Sequence, residues 1–238
     1  MNTRIVEEKM AKLFSACNPF SEHLKKWEDK ALPDKYDHNC FEYSGQPSMD
    51  EFIRALAYQK DRNAGFIKLE GDEPLSDSFC LDAGITLTMI LGEDHGAWKT
   101  NENISFQIPS VAELEAIEIK HYGKLYGEDF TRRNIRRLYN KYSYYGAYSD
   151  GQLVASAYSF TDEELELTCI DGLLVDEDYR KQYIATSLIA YIKGKHPGTT
   201  VFLHADDDDS PKEMYLKMGF KITDRLYEYL CTDITKIE

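Results

Sequence analysis

The stretch Leu173-Leu-Val-Asp-Glu-Asp-Tyr-Arg-Lys-Gln-Tyr-Ile-Ala185 decides the fold. Its apolar start reads as a buried strand, its charged middle as a turn, and its end as a helix whose first amides could hold a pyrophosphate. Farther along comes Tyr215-Leu-Lys-Met-Gly-Phe220, a tyrosine on a short helix that stops at glycine. Ser210, Pro211 and Glu213 fit the N-cap, N1 and N3 positions of that helix, and Gly219 fits its C-cap.

Working outward, Ile184, Leu188, Ile189 and Ile192 form an apolar stripe on the first helix, which Gly194 and Pro197 are expected to end. A strand at 200–205 leads to four consecutive carboxylates, 206–209. Upstream, the charged turn Asp162, Glu163 and Glu164 precedes a strand at 165–175, whose part from Ile170 to Val175 is too apolar for a surface strand. Before it, 144–148 and 153–160 flank Ser149-Asp150-Gly151, the chemistry of a tight hairpin. A short strand at 104–108 is broken by Pro109, and 110–141 reads as one or two helices interrupted near Gly123 and Gly127. The order β-α-α-β-β-β-α-β-α-β-β predicts an α+β, or mixed α/β, layered fold.

The first hundred residues form a separate α/β subdomain in this reading. Ile5, Val6, Met10, Leu13, Phe14 and Cys17 have near-helical spacing, and the helix should stop before Pro19. Strands follow at 40–43, 65–70 and 79–91, with a helix at 49–61 opened by a Ser48/Glu51 capping box. The polar stretch 92–103 is the expected linker. The domains are therefore drawn as 1–100 and 104–238.

Composition narrows the function. A hydrophobic share of 42% supports a core, and no apolar run reaches the roughly 18 residues of a membrane span. Residues 1–20 carry too many charges for a targeting segment. Five scattered cysteines without a C-x-x-C pair fit reduced thiols, so the expected compartment is the cytoplasm. A net charge of −14 argues against nucleic acid and leans toward cationic ligands, although solubility alone explains it as well. The one basic cluster, Arg132, Arg133, Arg136, Arg137 and Lys141, reads as a solvated helix face.

The two motifs and the element order resemble the GNAT superfamily of acetyl-CoA-dependent N-acetyltransferases over about residues 104–238. In that family the segment Arg/Gln-x-x-Gly-x-Gly/Ala wraps the cofactor pyrophosphate with backbone amides. Its matching residues here are Arg180, Lys181, Gln182, Tyr183, Ile184 and Ala185, with Thr186 following. Tyr183 replaces the first glycine, which main-chain recognition tolerates if φ stays negative and the ring points away. The resemblance also implies that Leu173, Leu174 and Val175 pair with the pantetheine arm and polarise the thioester. It further makes Tyr215 the general acid near the cofactor sulfur and puts Asp208 near the position of the family's usual Asn, where Asp208 would contact cofactor through water.

The family often draws its base from the strand before the cofactor loop, where Glu166 and Asp171 are the candidates; both also read as solvent-facing charges. Gly172 beside Asp171 suggests a bulge that re-aims a side chain. Cys169 reads as a core thiol and 206–209 as a charged loop rather than a metal site. A loose echo, Tyr58 before Gly65-Phe66, suggests a degenerate GNAT-like N-terminal half that shapes the substrate cleft. The expected activity is acetyl transfer from acetyl-CoA, bound between 165–175 and 183–193, to a primary amine on a small molecule or peptide. No metal, nucleic acid or membrane partner is expected. The rival is a catalytically silent acyl-CoA-binding or regulatory module.

Overall fold

The computed structural model describes residues 2–76, 79–93, 96–208 and 211–237. Helix α1 (Thr3–Lys12) is followed by strands β1 (Ala16–Pro19), β2 (Leu24–Glu28) and β3 (Phe41–Tyr43), helix α2 (Met49–Asp61), and strands β4 (Ile67–Gly71) and β5 (Asp82–Leu91). Then come β6 (Ser105–Gln107), α3 (Val111–Tyr126), α4 (Glu128–Tyr139), β7 (Ser143–Ser149), β8 (Gln152–Asp162) and β9 (Leu167–Val175). The chain closes with α5 (Ile184–Lys195), β10 (Thr200–Asp206), α6 (Pro211–Lys217) and β11 (Phe220–Cys231). The fold is mixed α/β, as the element order predicts.

Two compact units interleave along the sequence. One comprises Met1–Val6, Met89–His204 and Glu213–Lys221; the other comprises Glu7–Thr88, Ala205–Lys212 and Ile222–Glu238.

In the first unit the strands neighbour one another in the order β10-β9-β8-β7-β6, with β9 and β10 parallel and the other pairs antiparallel. Asp150 and Gly151 at φ 49° and 80° close the β7–β8 turn, since a two-residue hairpin of matching twist needs positive φ at both central positions. Helix α3 opens with a Ser110/Glu113 capping box, and Gly127 at φ 87° separates it from α4. Gly123 stays inside α3 instead of interrupting it. The predicted stripe Ile184, Leu188, Ile189 and Ile192 is buried, and α5 packs on β7, β8 and β9. Gly194 sits in the last turn of α5, so the helix outlasts its first expected stop and ends before Pro197.

The second unit has the order β1-β2-β3-β4-β11-β5. Ser48 and Glu51 cap α2 as the sequence predicts, and Phe52, Ala55 and Leu56 bury against Leu24, Phe41, Ile67, Leu69 and Tyr229. The first helix does not reach Pro19. It stops at Lys12, and Cys17 lies on β1 opposite Trp27. Pro19 cannot donate to a ladder, and an edge strand such as β1 is where that costs least.

Candidate active site

The central feature of the first unit is a change in pairing along β9. Its register with β10 runs from Leu167 opposite Thr200 to Ile170 opposite Leu203, and no further among the described residues. Its pairing with β8 continues past that point to Val175 opposite Ala155. Where the β10 pairing ends, the β8 register slips: Ser156 faces Leu174 but Tyr158 faces Asp171, so β9 carries one extra residue. That is the expected bulge, and Gly172 at φ 61° lies in it. A side chain there would also collide, because an added Cβ would sit 2.4 Å from Tyr158 Cε1.

The bulge reverses the burial expected of this strand. Residues 167–170 are buried, whereas Asp171, Leu173 and Val175 are half-exposed and Gly172 is exposed. Leu174 is buried between Leu173 and Val175, so this end turns one apolar side chain inward and leaves its neighbours half-exposed. Beyond Ile170 no pairing with β10 continues among the described residues, which leaves that edge for an added extended chain.

After Val175 the chain turns at Asp176. This buried carboxylate takes both Lys120 Nζ contacts, at 2.9 and 2.7 Å, and accepts from the Asp178 backbone N–H. The Lys120 hydrogen bond first of all holds Asp176 below the usual carboxylate range. Arg180 Nε donates to Val175 O at 3.2 Å, tying the turn back to the open strand end. Lys181, Gln182 and Tyr183 are exposed, and Ile184 and Thr186 are buried.

Tyr183 overturns the condition set for it. Its φ is 61° and ψ 17°, the left-handed conformation a glycine adopts without penalty, and Lys181 before it is also left-handed at φ 63°. The backbone of the loop thus has the glycine geometry without the glycine. Tyr183 makes no side-chain cap, and the first turn of α5 holds no acidic residue, so nothing on the helix itself competes with an anion there. The ring projects to solvent under Lys99, whose Nζ lies 4.4 Å from its centroid.

Lys99 belongs to the stretch expected as a linker, and that expectation changes. Trp98 Nε1 donates to Met218 O at 2.7 Å, Asn101 N donates to Ser187 Oγ at 2.8 Å, and Asn101 Nδ2 donates to Gln182 O at 3.1 Å. Residues 98–101 form a strap over the start of α5. Asp94 and His95 lie outside the described residues.

The fold separates the two carboxylates expected to serve the amine. Asp171 is at the bulge, where its Oδ2 accepts from the Tyr158 hydroxyl at 2.9 Å and its Oδ1 from Gly172 N at 2.6 Å. Glu166 is not on the strand: it lies exposed in the preceding turn at φ 52°. Leu174 is eight residues away along β9, roughly 26 Å at strand rise. Tyr215 is 6% exposed on α6, its ring 5.8 Å from that of Phe220, and Gly219 at φ 93° ends the helix as expected. Ser210, its expected cap, and Asp209 lie outside the described residues. Asp208 is exposed in the turn after β10 and belongs to the second unit. Cys169 is buried. Arg132 and Arg136 pair with Glu115, so the basic stripe is partly neutralised within the α3–α4 pair. Among the described residues, no group of three or more His, Cys, Asp or Glu could hold a metal, and no helix is long and apolar enough to cross a membrane.

Sequence reasoning missed Lys120, the strap, and Tyr142, Tyr144 and Tyr158. A signal existed for two of them: Tyr142 and Tyr144 lie two positions apart where β7 begins, the spacing that shares a face in extended chain, although Tyr142 itself precedes the strand.

The first unit thus sets a mixed sheet whose parallel pair separates at a bulge before a turn and a helix without a side-chain cap. Residues 140–222 match the family model for the acetyltransferase (GNAT) domain. Among curated proteins the sequence has no match. Among solved structures, a conserved protein of unknown function from Staphylococcus epidermidis is similar with a TM-score of 0.76 at 16% identity, over 94% of this chain and 99% of that one. The GCN5-related N-acetyltransferase of Kribbella flavida has a TM-score of 0.63 at 15% identity, over 95% and 93%. A tandem GNAT protein from the clavulanic acid biosynthesis pathway has 0.54 at 13%, over 87% and 78%. At these identities the likeness is one of fold.

Proposed function

We propose that this protein is an acetyl-CoA-dependent N-acetyltransferase that acylates a primary amine by direct attack. The observation that carries the reading is the end of β9 beyond Ile170, where the β10 pairing stops among the described residues and Leu173 and Val175 are half-exposed around a buried Leu174. It leads within eight residues into a helix start free of acidic side chains. Leu173, Leu174 and Val175 would hold the pantetheine arm, and the amides from Lys181 to Thr186 the pyrophosphate, with Arg180 and Lys99 adding positive charge. Acetyl-CoA supplies the activated acyl group as its thioester.

The chain's own residues handle the amine and its proton. Exposing the lone pair of an alkyl amine at pH 7 costs roughly 4.6 kcal/mol, so a carboxylate that receives the cation and passes its proton to water is useful. Asp171 has that role in this reading; Glu166, at the far end of β9, does not. Tyr215 is assigned to the leaving sulfur as a hydrogen-bond donor that completes proton transfer late. Residues 1–100 are proposed as a degenerate GNAT-like half, and the tandem organisation of the clavulanic acid pathway protein lends support. Cytoplasmic location is part of the same proposal.

The second reading, a silent acyl-CoA-binding module, is favoured by one observation: Tyr183 stands where the family has glycine. Calorimetric titration with CoA and acetyl-CoA, followed by thiol release against an amine panel, separates the two. Binding with turnover is expected; binding without turnover across a broad panel favours the silent module, and no binding at millimolar cofactor sinks both.

A further inference from the structure

Beside the open end of β9, the fold gathers aromatic and acidic groups that the cofactor does not require. Tyr142 stacks on Tyr158 with centroids 4.7 Å apart and planes 9° from parallel, and Tyr144 leans on the same ring at 5.3 Å and 47°. Behind them, Tyr158 and the Gly172 amide fix both oxygens of Asp171, and both donors are neutral groups. The charge of Asp171 is oriented without being cancelled by them.

Tyr144 adds an independent sign. It is 4% exposed, and among the described residues its hydroxyl is buried without a hydrogen-bond partner. Buried polar groups are nearly always paired, so an orphan hydroxyl on a ring packed against Tyr139 and Tyr158 marks a place where a ligand completes the bond. The surroundings are electronegative. Burial first, then the charges of Glu118 on α3 and Asp171, push the Tyr144 hydroxyl well above its ordinary value, and burial and Asp171 do the same to Tyr142. Tyrosine faces, a fixed carboxylate and an unfilled oxygen acceptor together match one chemistry, an alkylammonium with N–H groups to donate.

We propose that Tyr142, Tyr144, Tyr158 and Asp171 form the acceptor subsite and that it takes an aliphatic amine in its cationic form. The inference rests on the acetyltransferase reading for its place in the reaction, although not for the binding itself. Arylamines and alcohols, uncharged at neutral pH, are excluded as good acceptors.

The test uses the full-length protein without acetyl-CoA. Butylammonium is titrated by calorimetry against 1-butanol, which has the same chain and no charge. Saturable binding of butylammonium at least tenfold tighter than butanol is expected. Asp171→Asn, a nearly isosteric change, should abolish the preference, and Tyr144→Phe should weaken butylammonium about threefold. Equal affinity for the two probes, or an unchanged preference in Asp171→Asn of native circular dichroism, overturns the subsite. Should CoA fail to bind while the ammonium preference stands, the acetyltransferase reading falls and the subsite survives. Should CoA bind and amines turn over while the preference is absent, the subsite alone falls.

Discussion

Tyr183 is the residue at which sequence and structure pull hardest against each other. A non-glycine residue in the left-handed region costs about 1–2 kcal/mol, and here the cost is borne at the start of the helix expected to hold the cofactor. Tyr183→Gly relieves that strain and loses the Lys99 contact, two effects of similar size and opposite sign. Thermal melting is therefore expected to shift by only a few degrees, and CoA affinity to hold or improve. A tenfold loss of CoA affinity would instead show that the tyrosine side chain is itself a ligand. At Tyr215 the assigned role predicts a fall in kcat of about a hundredfold for Tyr215→Phe with little change in the CoA Kd, the range of a lost proton donor. Unchanged turnover removes the role.

Among the elements, β9 holds the most information and misled most. Its composition signals a strand correctly, but 165–175 differs from the observed Leu167–Val175 at the end where Glu166 sits, and the open half is the part that reads as most buried. A run of apolar residues shows that a strand avoids water without saying whether protein or ligand covers it. The bulge that opens it depends on Gly172, both for its φ and for the space Tyr158 occupies. Gly172→Ala is expected to destabilise the protein by about 2–4 kcal/mol through strain and overpacking. Denaturant unfolding measures this; a loss below about 0.5 kcal/mol would mean that β9 adjusts freely and that Asp171 is not held by the bulge. Helix ends were easier to read. Ser48/Glu51, the Asp150-Gly151 turn and Gly219 all act where the sequence places them, since each is settled by residues a few positions apart.

For the molecule as a whole, the interleaved units carry a consequence of their own. In the second unit His38 stacks on Phe14 with centroids 5.1 Å apart and lies 3.2 Å from Asp29 Oδ2. Burial, with the Lys35 charge adding to it, holds its imidazole at about 4 against the opposing pull of Asp29. A folded-state value below the unfolded one means the stability is present above pH 6.5 and is lost as pH falls toward 4, up to about 3 kcal/mol. Melting temperature should decline over that window and the decline should be shallower in His38→Gln; a parallel decline in both assigns the acid sensitivity elsewhere. The second unit also joins Tyr227–Cys231 of β11 to Ile67–Gly71 of β4, a pairing across some 160 positions. Such closures decided what the sequence left open. By itself the sequence determined most element types (though not strands β1 and β2), several caps and turns, the buried face of α5 and the likeness of its second half to a GNAT domain, because periodicity and turn chemistry act between near neighbours. Only the tertiary structure decided that Glu166 lies apart from Asp171, that the linker straps α5, that Tyr183 takes a glycine's conformation, and that Tyr142 and Tyr144 pack on the tyrosine that holds Asp171. Those depend on registers between distant strands, where a one-residue slip sends every side chain to the other face.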